Sequence, residues 1–188
     1  MSAASEFEAV FLPIAAMAYG IAVHLTRDPT EAEDLVQDAA LLAFRAFGSF
    51  EPGTNFKAWF FRILTNAFYS RHRKAKHERN TLGIDDVPPL YLYGKAAEMG
   101  LEGQDPAAAL LDRFDGQQVS EAFDALPEEY RVVSTLYFMQ DFSYQQIADI
   151  VGCPVGTVRS RLHRGRRVLQ KCLWRVAEEY GILADDHR

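Results

Sequence analysis

Apolar residues recur along most of the chain at the three- to four-residue spacing of an amphipathic α-helix, whereas the alternation expected of a β-strand is nearly absent. The spacing predicts two groups of helices separated by a long segment without helical periodicity. We therefore expect an all-α fold made of two small helical domains. The predicted helices cover residues 6–25, 30–47, 56–76, 119–126, 127–139, 144–151 and 155–180.

The second predicted helix has clear start and stop signals. Thr30 is followed three residues later by Glu33, which is the capping-box pattern of a helix N-terminus. Gly48 and the Pro and Asn residues that follow it predict a loop after the helix. The buried stripe of this helix is expected to consist of Leu35, Ala39, Leu42 and Ala46.

The last two predicted helices form a helix-turn-helix. Ser143 and Gln146 make a second capping box at the start of the first of these helices. The periodicity is then interrupted for three residues, Gly152 to Pro154, and the final helix follows at once. Two helices joined by a short turn that contains Gly are typical of this motif, which often binds DNA.

Residues 81–118, between the two groups of helices, have the composition of a linker. They contain seven acidic residues, and their only basic residues are Lys95 and Arg113. Three of the eight Pro residues and several Gly residues lie here as well. We expect a flexible acidic linker over 81–118 between domains at 1–80 and 119–188.

The basic residues are concentrated in two windows of an otherwise acidic chain. Residues 57–79 and 155–175 together hold 14 of the 20 Lys and Arg residues and one of the 26 Asp and Glu residues. The whole chain nevertheless carries a formal charge of −6. Two basic patches on an acidic body indicate a protein that binds a polyanion and has a separate surface for another partner.

The final helix separates an apolar face from a basic one. On a helical wheel, Val158, Leu162 and Leu169 share one side. Arg159 and His163 lie on the opposite half. An arginine fork on that side can donate to guanine O6 and N7 in the major groove or to a phosphate. The sequence therefore predicts a recognition helix.

The stretch "FSYQQIADIVGCPVGTVRSRLHRGRRVL" resembles the C-terminal DNA-binding domain of extracytoplasmic-function (ECF) sigma factors, a branch of the bacterial sigma-70 family. In that family the corresponding helix, within sigma region 4, reads the −35 promoter element. The resemblance implies that the −35 contacts are made by Thr157, Arg159, Ser160, His163, Arg164 and Arg167.

Two N-terminal segments resemble sigma region 2 of the same family. "TRDPTEAEDLVQDAALLAFRAF" is similar to the segment that contacts the β′ clamp helices of RNA polymerase, while region 4 of the family contacts the β flap. "FKAWFFRILTNAFYSRHRK" is similar to the segment that recognises and melts the −10 element. The implied polymerase contacts are Asp34, Leu35, Gln37 and Asp38. The implied −10 contacts are Asn55, Phe60, Asn66, Tyr69, Arg71 and Arg73.

Several of these positions have a second interpretation. Most aromatic residues of the −10 segment, Phe60 among them, suit the hydrophobic core better than they suit base stacking, and Trp59 and Ile63 are assigned to the core. Many family members carry Asp four residues after Asn66, whereas this chain has Ser70. The −10 preference of the family therefore does not transfer.

The resemblance implies an alternative sigma factor that binds core RNA polymerase and promoter DNA, with its halves held apart on the −10 and −35 elements. An anti-sigma factor is the expected regulator. A free-standing helix-turn-helix regulator is the alternative, but it leaves residues 30–47 and 56–76 without a role. An enzyme is disfavoured because the five His residues form no metal-binding or catalytic pattern.

The rest of the composition points to a cytoplasmic protein without a cofactor or metal. Apolar runs such as "ALLAF" are short, so no membrane span is expected. The acidic N-terminus does not resemble a secretory signal. Two cysteines, Cys153 and Cys172, provide no disulfide framework and have the wrong spacing for a zinc site with His163.

Overall fold

The computed structural model describes residues 2–76 and 116–179, which are helical throughout apart from short turns and contain no strand. This confirms the all-α prediction. Most of the predicted linker lies outside the described residues. The helices are α1 (Ala3–Thr26), α2 (Pro29–Ala46), α3 (Phe56–Lys76), α4 (Gly116–Asp124), α5 (Glu128–Gln140), α6 (Tyr144–Val151) and α7 (Val155–Glu179), with a 3₁₀ turn at Phe47–Ser49.

Helices α1, α2 and α3 form the N-terminal unit. The first two are antiparallel, because the ring of Phe7 near the start of α1 lies 5.5 Å from that of Phe44 near the end of α2. α3 closes the unit, and its Phe60 ring lies 5.1 Å from Phe11 of α1. Ala18 and Leu64 are fully buried between the helices. Small residues on α1 and α2 allow the helices to approach closely.

The start and the buried face of α2 differ from the prediction. Asp28, rather than Thr30, is the N-cap, and its carboxylate accepts hydrogen bonds from the backbone N–H groups of Thr30 and Glu31 at 2.8 and 2.9 Å. Pro29 follows at the first helical position, where it has no N–H to satisfy. Leu42 is 47% exposed, and Ala43 occupies the core in its place.

α1 is more apolar over its length than the short apolar runs in the sequence suggested. By length and composition it could cross a membrane, with a mean hydropathy of 1.8 over an 18-residue window. One face of the helix, including Ile21 and Leu25, is buried in the protein core. α1 ends at Arg27, whose φ of 63° places a residue other than glycine in the left-handed region.

Helices α4 to α7 form the C-terminal unit. α4 begins at Gly116, three residues before the predicted domain boundary. Pro127 precedes α5 as its N-cap. The predicted capping box of α6 is confirmed: Gln146 N–H donates to Ser143 Oγ at 3.2 Å, and Ser143 N–H donates to the Gln146 side chain at 2.9 Å. These local signals set the start of the helix-turn-helix.

The two units pack directly against each other. α1 and α3 contact α4, α5 and α6, so that the hydrophobic core continues from one unit into the other. Phe61 of α3 and Phe142, just after α5, have ring centroids 5.7 Å apart and are both buried. Arg131 of α5 is only 4% exposed at this junction.

Candidate nucleic-acid and protein interfaces

The turn between α6 and α7 is fixed by backbone geometry. Gly152 ends α6 with a φ of 70°, which a residue with a side chain rarely adopts. The N–H groups of Gly152 and Cys153 both donate to the backbone oxygen of Ala148, at 2.9 and 3.1 Å. Pro154 follows, and its oxygen accepts from the N–H of Thr157 at 2.9 Å. This geometry sets the direction of α7 relative to α6.

The buried side of α7 is the one that the helical wheel predicts. Val158, Leu162 and Leu169 are all fully buried. Gly165 lies in the same stripe, and a Cβ added there would lie 2.5 Å from Ser134 Oγ of α5. The helix therefore sits close to α5 at this position and presents its opposite side to solvent.

The residues predicted to bind the −35 element fall into two groups. Four of them are exposed on the outer face of α7: Arg159, Ser160, His163 and Arg164. Thr157 and Arg167 are half-buried. Ser160 donates its hydroxyl proton to the Thr157 backbone oxygen at 2.9 Å. The structure thus assembles four of the six predicted residues on one accessible surface.

Several arginines of α7 contact the protein itself. Arg161 forms an ion pair with Glu129 at 3.5 Å. Arg166 donates to the Tyr144 hydroxyl at 3.1 Å, and its guanidinium lies 5.1 Å from the centroid of Tyr137. Arg161 and Arg166 therefore help to orient α7 on α5 and α6, a role that the count of basic residues did not reveal.

Arg159 and Arg164 differ in what they contact on this surface. Arg164 Nη1 donates to the Tyr130 hydroxyl at 3.3 Å, although the residue is exposed. Arg159 makes no hydrogen bond or ion pair within residues 2–76 and 116–179. Its guanidinium is accessible to an external anion or base edge.

The loop before α3 and the outer side of α3 carry the exposed members of the predicted −10 set. Asn55 caps α3, because its side-chain oxygen accepts from the Ala58 N–H at 3.1 Å. Asn66, about three turns further on, is exposed. Both amides are accessible to a ligand.

Phe60 and Tyr69 are placed differently from the prediction. Phe60 is fully buried in the N-terminal unit, so its ring cannot stack on a base in this structure. Its apolar surface is satisfied by α1 and α3, and the core interpretation is the correct one. Tyr69 is half-buried, and burial raises the pKa of its hydroxyl to about 12. The side chain of Arg73 lies outside the described residues.

An aromatic cluster supports the loop before α3. The Phe50 ring lies 5.3 Å from both Phe56 and Trp59, and Phe47 stacks on Phe50 at 6.0 Å. Trp59, assigned to the core from the sequence, is half-buried, as is Ile63. The cluster holds an otherwise exposed loop, and the Phe-rich composition of this segment was its only sequence signal.

α2 presents an acidic surface that continues into an apolar one. Asp34, Gln37 and Asp38 are exposed, as predicted for a protein contact, but Leu35 is fully buried and cannot take part. Leu35 faces the core because its helical position coincides with the alanine stripe of α2. The apolar part of the surface consists of Leu41, Leu42 and Phe44, which are 48%, 47% and 41% exposed.

Comparisons with known proteins agree with this arrangement. The family model for sigma-70 region 2 matches residues 13–78, and that for sigma-70 region 4 matches residues 116–169. Helical modules of these two kinds in this order define a sigma factor. The ECF RNA polymerase sigma factor EcfG of Rhodopseudomonas palustris is 35% identical over 161 residues, which cover 85% of this chain and 81% of the relative.

Two further relatives extend the match. The RNA polymerase sigma-H factor of Pseudomonas aeruginosa is 32% identical over 163 residues, covering 85% of this chain and 82% of the relative. The sigma factor RpoE of Bartonella quintana, solved in complex with the anti-sigma factor NepR, has a TM-score of 0.66 and 32% identity, covering 89% of this chain and 96% of that one. This chain belongs to the ECF sigma factors of the sigma-70 family.

Proposed function

We propose that this alternative sigma factor binds core RNA polymerase through α2, the −10 element through α3 and its preceding loop, and the −35 element through α7. The observation that carries the proposal is the exposure of Arg159 and His163 on one side of α7, while Val158 and Leu162 anchor the other side in the core. A helix held in this way can enter a major groove without rearranging.

On the −35 element, we assign different roles to the residues of α7. Arg159 has the accessible guanidinium that a bidentate contact with guanine requires. Ser160, His163 and Arg164 surround it and reach base edges or phosphates. Thr157 lies at the start of the helix, where backbone N–H groups attract a phosphate. Arg167, half-buried, contributes positive charge from the next turn.

On the −10 element, unstacked bases need amide groups for their edges and positive charge for the backbone. Asn55 and Asn66 supply exposed amides. Arg71 and Arg73 supply positive charge further along α3. The aromatic cluster of Phe50 and Trp59 holds the exposed loop in place. The loop provides a rigid surface against which a captured base can pack.

For the polymerase, we propose that α2 meets a basic, partly apolar surface on the β′ clamp helices. Asp34 and Asp38 provide the negative charge and Gln37 provides a hydrogen-bonding amide. Leu41 contributes the apolar contact that is usually central to such interfaces. The β flap is the proposed partner of the C-terminal unit.

We also propose the domain division 1–80, 81–118 and 119–188, with an acidic linker, a cytoplasmic location and no catalytic activity. The two family matches, to residues 13–78 and 116–169, support two domains, and the second match begins three residues before the proposed boundary. The Bartonella quintana relative binds an anti-sigma factor. By analogy, an anti-sigma factor is the proposed regulator of this chain.

The decisive experiment is promoter-directed transcription with purified core polymerase. Arg159→Ala is expected to lower −35-dependent transcription by about 5- to 150-fold, the effect of losing roughly 1–3 kcal/mol of base contact. Lys171→Ala removes the same charge from an exposed position about 18 Å further along α7 and serves as the matched control.

Polymerase binding is tested separately by co-elution with the core enzyme. The wild-type protein and Arg159→Ala are expected to co-elute equally, whereas Asp34→Lys is expected to bind less well. Failure of the wild-type protein to co-elute would overturn the proposal. Equal transcription by Arg159→Ala and Lys171→Ala would show that Arg159 does not contact the −35 element.

A further inference from the structure

The outer side of α1 is an exposed apolar stripe. Residues 9–23 contain no Asp, Glu, Lys or Arg. Leu12 is 67% exposed and Tyr19 is 37% exposed. Beside them lie three small exposed residues, Ala9, Ala16 and Gly20. Steps of three or four residues connect these positions, so they share one side of the helix. A surface helix usually carries charged residues on its solvent side, and α1 does not.

The stripe has the length and the relief of a surface that binds a helix. From Ala9 to Gly20 it spans about 16 Å, or three helical turns. Leu12 and Tyr19 project from it. At Gly20, an added Cβ would meet nothing within 4 Å, so the surface beside Tyr19 is open. Two large side chains separated by small ones can interlock with the side chains of a second helix.

Pro13 adds a polar group to the same side of α1. It is exposed and lies inside the helix, where it has no N–H to donate to the Ala9 carbonyl four residues earlier. The Ala9 oxygen therefore lacks its usual helical donor and is available to an external one. A Lys or Arg side chain of a partner can donate to it while its apolar stem lies along the stripe.

α2 extends the apolar surface on one flank of α1. Phe44 is partly exposed, and its ring lies 5.5 Å from that of Phe7, so it borders the first half of α1. Leu42 points about 160° away from Phe44 around α2. It lies on the side of Asp38, one turn earlier, which pairs with Arg71 of α3. Phe44 therefore belongs with the stripe, and Leu42 does not.

The surroundings of the stripe are acidic. Seven of the first 44 residues are Asp or Glu, and all seven are exposed. Arg27, the only Lys or Arg in this stretch, donates to the Leu126 backbone oxygen at 3.0 Å and pairs with Asp124 at 3.8 Å. Its charge is thus used within the protein. The stripe lies in a field that attracts positively charged groups.

We propose that the outer side of α1, together with Phe44 of α2, is a docking surface for an amphipathic helix of a partner protein. This helix is apolar on one side and carries Lys and Arg along its edges. Its apolar side packs between Leu12 and Tyr19, and its cations face the carboxylates around the stripe. The surface is separate from the acidic side of α2 that we assign to the polymerase, and it does not rest on that assignment.

Charge decides against two other occupants. A second copy of this chain would bring the same acidic surface to the interface, because a twofold dimer pairs a patch with itself. An anionic membrane surface would be repelled by the same carboxylates. A basic amphipathic helix matches both the apolar stripe and its acidic surroundings.

The surface is tested with a synthetic peptide of about 18 residues, a length at which a helix begins to form in water. The peptide carries Leu and Ala on one side and Lys and Arg along the edges, and fluorescence anisotropy of a label reports its binding to the free, full-length protein. Saturable binding that weakens with added salt is expected. A peptide with Glu in place of Lys and Arg is not expected to bind. Absence of saturable binding by the basic peptide would overturn the proposal.

Leu12→Asp is the decisive variant. It adds a carboxylate, so attraction by charge alone predicts equal or tighter binding of the basic peptide, whereas docking on the stripe predicts binding at least about tenfold weaker. Gly20→Gln, which fills open space without meeting the protein, is also expected to weaken binding. Leu42→Asp makes the same substitution at another exposed leucine and is expected to bind the peptide as the wild-type protein does. Undiminished binding by Leu12→Asp would refute the proposal.

The same variant distinguishes the other occupants. Leu12→Asp is expected to co-elute with core polymerase as the wild-type protein does, and loss of co-elution would assign the stripe to the polymerase instead. A wild-type dimer that Leu12→Asp dissociates, measured by light scattering, would assign it to a second copy. Sedimentation with phosphatidylglycerol vesicles that Leu12→Asp abolishes would assign it to lipid. Any of these three results overturns the proposal, whereas failure of the wild-type protein to co-elute counts only against the proposed function.

Discussion

Arg71 of α3 and Asp38 of α2 form an ion pair, and the same guanidinium donates to the Asp34 backbone oxygen at 3.0 Å. A residue assigned to DNA is thereby tied to two positions assigned to the polymerase. Both side chains are partly exposed, so the pair can exchange for external partners.

The first prediction concerns this pair. Asp38→Asn is expected to change the free energy of unfolding by less than about 1 kcal/mol, because exposed ion pairs contribute little. Affinity for core polymerase is expected to fall several-fold. Urea unfolding and a binding titration measure the two quantities. In a double-mutant cycle with Arg71→Gln, a stability coupling far above about 1 kcal/mol would show that the pair is structural.

The second prediction separates Phe60 from Asn66. Phe60→Ala is expected to destabilise the protein by about 3–5 kcal/mol, because it empties a fully buried site. Asn66→Ala is expected to change stability by less than about 0.5 kcal/mol, since the side chain is exposed. Promoter opening, followed by permanganate reactivity of the −10 bases, is expected to fail with Asn66→Ala although the protein is folded. Normal promoter opening by Asn66→Ala would show that Asn66 does not contact the −10 element.

The third prediction tests how closely α7 sits on α5. Gly165→Ala is expected to destabilise the protein by about 1–3 kcal/mol, because the new Cβ would lie 2.5 Å from Ser134 Oγ. Gly20→Ala is the matched control in α1, where a Cβ has open space, and should stabilise by about 0.5–1 kcal/mol.

Ser134→Ala provides the rescue for this pair. It removes the oxygen that the added methyl group would meet, so Gly165→Ala in that background is expected to regain most of the lost stability. Thermal unfolding of the four proteins completes the cycle. If Ser134→Ala gave no rescue, the close approach to Ser134 would not be the cause of the lost stability, because the other near atom, Tyr130 Cβ at 3.5 Å, is at an ordinary contact distance.

The fourth prediction is a pH dependence at His24. Burial against Phe123 lowers the pKa of this histidine below its usual value; Asp124 opposes the shift and Arg131 adds to it. The unfolded chain therefore binds a proton before the folded one does. The stability due to the neutral ring is present above about pH 6.5 and is lost as the pH falls through the folded-state pKa.

His24→Gln, which cannot be protonated, isolates this effect. Urea unfolding near neutral pH and at about pH 5 is expected to show a larger acid-induced loss of stability in the wild-type protein than in the variant. Equal losses in the two proteins would mean that His24 does not contribute to the acid sensitivity.

Local sequence signals predicted the helix-turn-helix well. The Ser143 capping box and Gly152 act over a few residues, so neighbouring chain could not override them. The start of α2 was misplaced because Asp28 and Thr30 offer competing caps, and Pro29 decides in favour of Asp28. For Leu42, a helical wheel cannot choose between a large residue at the edge of the stripe and Ala43 beside it.

The contacts between the units could not be predicted in the same way. Arg131 is polar in sequence and would be expected at the surface. Its burial depends on the carbonyl of Leu25, more than a hundred residues away. Phe60 shows the related difficulty for the candidate site: its helical position fits both a core ring and a base-stacking ring, and only the packing of α1 decides.

Arg27 has a strained backbone conformation at the junction between the two units. Glycine would end α1 without strain, yet this position holds a residue whose left-handed backbone costs about 1–2 kcal/mol. Replacing Arg27 with glycine would remove this strain from the N-terminal unit. It would also remove the guanidinium that donates to the Leu126 backbone oxygen of the C-terminal unit. At this single residue, backbone strain within the N-terminal unit therefore competes with a contact between the two units. A glycine would stabilise the N-terminal unit and weaken its packing on the C-terminal unit.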